Sequence, residues 1–434
     1  MIRMWIPCLC LAALVGCEAE EEVPPEDLDA ASFLTQQEQD ARAAEVALWL
    51  SDRSENWTIV DTRTSSDGQV IDYVTAGSLY PDAAMVNLSP PPTTSAPPNE
   101  DAPVAGESAP LTTFETDPSL VAPAGTIPVI RPDFAGYISG VGLPSDVDTI
   151  DEYIEVKAPT PAGVVNDRLY GTHRDTRNNI GTYGRINLWE YLQVGSADMS
   201  LLQTAILCYG TNFSTTLEAI EVGAQVNPLE YNDNLLHVFV YFRTAGTASG
   251  DFLGGYNSNQ RGFVQYSGAA FPPGAAFAAG SLSQIDGNQY SCQFGAELYQ
   301  GNWWVRACNT WLGYYPTDNS AVNEQWHVPF DLIDTSACEV QWYGEVADPT
   351  PSTWTAANMG SGLHAIEGWQ RSAYIRQPFL RMTPTTSSWL ASTLITSTGY
   401  NADCYSASSL FSNGGPGWER WFYVSGPGNN SSCQ

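Results

Sequence analysis

From about Tyr170 to the C-terminus the sequence is a succession of short runs in which apolar and polar residues alternate. Gly184-Arg185-Ile186-Asn187-Leu188-Trp189, Leu236 to Phe242, Gly262 to Tyr266, Trp303 to Ala307 and Glu339 to Val346 are examples, and turn residues separate them. Period two belongs to strands, because successive side chains leave opposite faces of the backbone. Few segments carry helical period, and no solenoid or propeller repeat is present. Many short strands over so long a stretch predict an all-β fold, an antiparallel β-sandwich. The chain is 43% hydrophobic and only 15% charged, which is enough apolar material for a sizeable core.

The N-terminal part reads differently. Arg3 precedes eleven mostly apolar residues, Trp5 to Val15, too few to span a bilayer. The stretch ends in Leu14-Val15-Gly16-Cys17, which resembles the lipobox of bacterial lipoproteins. That resemblance implies a signal peptide over 1–17, cut before a lipidated Cys17. Glu18 after it, in place of Asp, favours export onward to the outer membrane or cell surface. An acidic, proline-containing tether follows over 18–30. Phe33 to Leu50 has the spacing of an amphipathic helix. Trp57 to Thr62 and Gln69 to Val74 read as a hairpin turned at Ser66-Asp67-Gly68. Residues 89–126, with Pro90-Pro91-Pro92, read as a Pro/Ser/Thr-rich linker without its own core, and Thr126 to Ile130 resumes order. A small α+β region over 31–155 thus precedes a β domain over 160–434.

A net charge of −31, with 17 Lys and Arg of which Lys157 is the only lysine, argues against nucleic acid and against electrostatic docking on an anionic membrane. Membrane contact is expected through the lipid alone, and the protein is expected to be a monomer. Acid would neutralise the carboxylates without creating much positive repulsion, so the chain should tolerate low pH.

Of nine cysteines, Cys8 and Cys10 leave with the leader and Cys17 takes the lipid. The even remainder in an exported chain reads as disulfides. Tyr290 to Leu298 and Trp303 to Trp311 read as a hairpin turning near Gln300-Gly301-Asn302, which brings Cys292 and Cys308 together. The remaining four are assigned as Cys404–Cys433 and Cys208–Cys338. With no Cys-x-x-Cys pair and four scattered histidines, neither a metal site nor a cofactor is expected. Neither a Gly-x-Ser-x-Gly elbow nor a His-Glu-x-x-His motif occurs.

Carboxylates remain as candidate chemistry. In Ala219 to Val226, Ile220, Val222, Ala224 and Val226 share one wholly apolar face, while Glu221, Gly223 and Gln225 share the other. In Glu339 to Val346, Gln341, Tyr343 and Glu345 share a face opposite Val340, Trp342 and Val346. Both acids therefore project from strands anchored by an apolar back, beside hydrogen-bonding neighbours, as paired acid–base work requires. An acid on a strand face is ordinarily a solvated surface group, so the pattern alone does not establish a site.

From about Tyr183 on, the chain resembles the neprosin-like domain. The resemblance is carried by Ile186-Asn187-Leu188-Trp189, Ile220 to Pro228, Asn302-Trp303-Trp304, Leu312-Gly313-Tyr314-Tyr315-Pro316, Gln341 to Val346, Met359-Gly360-Ser361-Gly362 and Gly426-Pro427-Gly428. Asp67 to Val74 and Gly125 to Arg131 resemble the hairpin and closing segment of that family's activation peptide. The resemblance implies a glutamic endopeptidase that cleaves after proline, made as a zymogen, with protein or peptide substrates and with Glu221 and Glu345 as its catalytic pair. The chain departs from the family in having Gly223-Ala224 for Gly-Trp and Tyr343-Gly344 for Gly-Gly, which bears most on the proline preference. Gln225, Gln341 and Tyr343 are candidates for oxyanion or substrate binding. Two rival readings use the same features, a glycoside hydrolase built on the carboxylate pair and a non-catalytic surface protein that binds glycan or peptide.

Overall fold

Alternation puts the apolar half of each strand on one face, and two such faces close on each other between residues 168 and 425. The computed structural model describes residues 34–92, 104–140, 150, 168–190, 194–196, 198–210, 217–244, 253–347, 357–391, 393–396 and 404–428. The leader, Cys17, the tether and Cys433 lie outside them. The N-terminal elements are helix α1 (Gln36–Ser54) and strands β1 (Ile59–Thr64), β2 (Val70–Thr75), β3 (Glu107–Ser108) and β4 (Thr126–Ile130). Then come β5 (Arg168–Asp175), β6 (Gly181–Asn187), β7 (Met199–Tyr209), β8 (Leu217–Val226), β9 (His237–Arg243), β10 (Gly254–Tyr256), β11 (Val264–Gln265), β12 (Gln289–Tyr299) and β13 (Asn302–Ala307). The series ends with β14 (Thr310–Pro316), β15 (Glu339–Ala347), β16 (Tyr374–Thr383), β17 (Thr386–Trp389), β18 (Thr393–Thr396), β19 (Ser406–Ala407), β20 (Phe411–Ser412) and β21 (Arg420–Ser425).

A seven-stranded sheet runs β10-β9-β8-β7-β15-β5-β18, antiparallel at every pairing. A larger sheet runs β11-β14-β13-β12-β6-β16-β21-β19, with β17, β20 and β3 attached at its margins. The fold is thus an all-β sandwich. Between the sheets, Ile220, Val222, Val240, Phe242, Val340 and Trp342 meet Ile186, Phe294, Trp303, Val305 and Ile375 in one buried cluster. Gly184 makes room for the largest of these: a Cβ there would lie 2.9 Å from the Trp342 ring, whose Nε1 donates to the Tyr183 carbonyl at 3.1 Å.

Val74 of β2, the segment after it and β4 pack on the outer face of the larger sheet. β1, β2 and β4 form a three-stranded sheet, and Val74, Leu79, Tyr80, Met85, Ile127 and Val129 cluster with Trp304, Tyr314, Val264 and Phe379. The Gln265 amide donates to the Tyr80 hydroxyl at 2.8 Å, and the Tyr314 hydroxyl donates to the Met85 carbonyl at 2.9 Å.

Three local expectations need correction. The helix runs Gln36–Ser54 rather than from Phe33, because Thr35 and Glu38 close a capping box at its start. The run Trp303 to Trp311 is two strands, since Cys308, at φ 53°, turns the chain between β13 and β14. The later part of the 89–126 linker is packed: Phe114 and Leu120 are 8% and 2% exposed within the sandwich cluster, and β3 pairs with β12. Its few large apolar residues find a core in the neighbouring sheets that they could not build alone. The disulfides Cys208–Cys338 and Cys292–Cys308 are present, and Cys404 is also disulfide-bonded.

Candidate active site

The outer face of the seven-stranded sheet carries the candidate acids. β7 lies between β8 and β15, and the registers define rows across the three strands. Glu221, Ala205 and Gln341 form one row; Gly223, Gln203 and Tyr343 the next; Gln225, Leu201 and Glu345 the third. Glu221 and Glu345 are therefore diagonal neighbours across Gln203. The flanking strands add Tyr241 beside Glu221 and Tyr170 beside Glu345. Tyr343, Tyr170, Tyr241, Tyr256 and Phe239 belong to one aromatic cluster on this face, with the Tyr343 and Tyr170 rings edge to face at 5.8 Å.

Gln203 was not singled out from the sequence. It is fully buried in a mostly apolar strand, and a long amide side chain in such a run is the signal that could have marked it. Its Nε2 donates to Oε2 of Glu221 at 2.8 Å, while its Oε1 is buried without a hydrogen-bond partner. Gly223 admits it: a Cβ at 223 would lie 2.2 Å from the Leu202 carbonyl oxygen and 2.7 Å from the Gln203 Cβ.

The two acids sit in different electrostatic surroundings. Glu345 is 3% exposed and forms an ion pair with Arg168 from the start of β5. Tyr170 is hydrogen-bonded to it as well. Glu221 keeps partial access to solvent, and its nearest hydrogen-bonding partner is a neutral amide. Burial, and then the charge of Glu345, push its carboxyl up to about 7, against smaller downward effects of Gln203, Arg168 and Arg243. Tyr343 keeps its phenolic proton, because burial and then the charges of Glu221 and Glu345 raise its pKa well above the ordinary value.

The two glutamines expected to bind an oxyanion are engaged elsewhere. Gln225 Nε2 donates to the Tyr231 hydroxyl at 3.1 Å, and Gln341 Nε2 to Glu339 Oε1 at 2.7 Å. Among the described residues no group of three His, Cys, Asp or Glu side chains could hold a metal ion.

The family model named Neprosin matches residues 196–427, over half of the 434-residue chain, and that span contains both glutamates and Gln203. The chain belongs to the neprosin family. Membership makes it a peptidase of the glutamic type, and the neprosin match covers every sandwich strand after β6. No curated protein matches the chain. Solved structures similar to it include scytalido-glutamic peptidase with a peptide-based transition-state analogue, at 7% identity over 61% of this chain and 99% of that one, TM-score 0.28. Another is the kappa-carrageenase from Pseudoalteromonas carrageenovora, at 9% identity over 44% of this chain and 71% of that one, TM-score 0.23. Scores this low carry no argument about chemistry.

Proposed function

We propose that this neprosin-family protein is an endopeptidase in which Glu345 is the general base and Glu221 the general acid. The observation that carries the assignment is the asymmetry of the pair. The Arg168 guanidinium beside Glu345 favours its ionised form, whereas Glu221 holds a proton up to about pH 7. Glu345 takes a proton from a water molecule as its oxygen attacks the scissile carbonyl carbon. The protonated Glu221, held by the Gln203 amide, donates a hydrogen bond to the developing oxyanion, with the Tyr343 hydroxyl as a further donor on the same face. As the carbon–nitrogen bond breaks, Glu221 gives its proton to the leaving amine. Transfer of a proton from Glu345 to Glu221 by way of solvent then restores both groups. The chemistry needs Glu221 protonated and Glu345 ionised, and it is therefore favoured in acid.

Cleavage after proline is part of the proposal. The aromatic face formed by Tyr343, Tyr170, Tyr241 and Phe239 supports it, because a pyrrolidine ring packs well on aromatic rings. We also place the protein outside the inner membrane, anchored through Cys17, as a zymogen whose N-terminal region is removed. Its disulfides suit an oxidising compartment. The test is Glu221→Gln and Glu345→Gln, made separately and assayed on a proline-containing peptide in acid. Substantial activity in either variant overturns the assignment, and sugar release without peptide cleavage would favour the glycosidase reading.

A further inference from the structure

Away from the cleft, one carboxylate from the N-terminal region is buried in the sandwich. Glu107, in β3, is 5% exposed at its side chain and pairs with Arg376 of β16, itself 2% exposed. Arg376 Nε donates to Glu107 Oε1 at 3.2 Å, and a second guanidinium nitrogen reaches Oε2. The Tyr374 hydroxyl donates to Oε1 at 2.5 Å, and the Ser291 hydroxyl donates to the same oxygen. Arg376 is fixed from behind by the Gly417 carbonyl at 2.7 Å and Gln377 Oε1 at 2.9 Å. Trp369, Tyr374 and Trp418 pack on one another with ring centroids 5.0 to 5.5 Å apart and wall the site. The backbone leading to Glu107 is held too. Glu107 and Ser108 pair in parallel with Gln289 and Tyr290, and the Gln289 amide donates to the Gly106 carbonyl at 3.2 Å.

We infer that Arg376, Tyr374 and Ser291 form a carboxylate-binding pocket, filled in the intact chain by Glu107 and open to an acidic side chain of an extended peptide once that segment is gone. The donors converge on one carboxylate as a fork plus two hydroxyls, the geometry of specific carboxylate recognition. All three donors sit on strands of the sandwich, whereas their acceptor comes from the region proposed to be removed. Loss of Glu107 would leave a buried guanidinium without its anion, which strongly favours capture of another. The short parallel pairing with β12 supplies the backbone half of the recognition, as in strand addition. The occupancy in trans rests on the proposed maturation; the pocket itself does not.

The test uses the full chain. Glu107→Ala removes the carboxylate and leaves its space, and propionate is added as the probe with propionamide as the neutral control. Propionate is expected to raise the unfolding temperature of the variant saturably, and more than that of the wild type, while propionamide has no effect. Equal effects on wild type and variant, or equal effects of the two probes, overturn the pocket. If Glu107→Ala does not fold, Glu107→Gln fills the same space without charge. It is then expected to unfold at a lower temperature than the wild type and to ignore propionate, and wild-type stability would overturn the inference. Failure of the chain to shorten in acid, read by mass, would overturn the maturation and leave the pocket standing.

Discussion

Gln203 donates to Glu221 from β7, the strand that separates Glu221 from Glu345. One neutral amide thus holds the acid with the raised pKa at the centre of the sheet face, diagonal to the acid paired with arginine. Removing that amide as Gln203→Leu leaves the fold but takes away a hydrogen bond that lowers the Glu221 pKa. The expected outcome is a loss of kcat, up to roughly the 10²- to 10³-fold effect of losing one positioned donor, with the alkaline limb of the pH–rate profile moved upward.

Glu221→Gln and Glu345→Gln should each lower kcat by roughly 10²- to 10⁴-fold, the usual contribution of a positioned acid or base. The wild-type profile should lose activity as pH rises through about 7, where Glu221 gives up its proton. A profile flat across neutrality would contradict the roles given to the pair.

Arg168→Met removes the cation from Glu345. A neighbouring opposite charge favours the ionised carboxylate, and the variant takes that charge away. The acid limb of kcat/KM should move up accordingly, and an unmoved limb would separate Arg168 from catalysis.

Glu221 should also cost stability at neutral pH. Its folded pKa is raised from 4.5 to about 7. The stability linked to its protonation is therefore fully present below about 4.5 and is lost as pH rises through about 7. At pH 8 Glu221→Gln should unfold at a higher temperature than the wild type, by up to about 3 kcal/mol in stability. The gap should close by pH 4, and thermal unfolding at the two pH values reads it.

Gly223→Ala should disturb the site from beneath. The added methyl would press on the Leu202 carbonyl and on Gln203, costing about 1–3 kcal/mol of stability by overpacking. Activity should fall further than stability alone explains, because the displaced side chain is the one holding Glu221. Thermal unfolding and kcat on the same preparation separate the two effects.

Much of this protein is local, and local features were legible in the sequence. Period two fixed which faces of β8 and β15 are apolar, and Ile220, Val222, Val340 and Trp342 are buried between the sheets while Glu221 and Glu345 face outward. The hairpin around Gly301 brought Cys292 to Cys308, because cross-strand proximity follows from a short turn. Register between distant strands has no such local signature. It is set by how whole sheets pack, and it alone brings Gln203 between the two glutamates and Arg168 onto Glu345. Packing likewise turned Gln225 and Gln341 away to Tyr231 and Glu339, and buried Glu107 against an arginine 269 residues further along the chain. The sequence by itself determined the sandwich and the outward-facing positions of Glu221 and Glu345. Only the tertiary structure decided what surrounds each acid, because charge and burial act through space and the neighbours that exert them come from other strands.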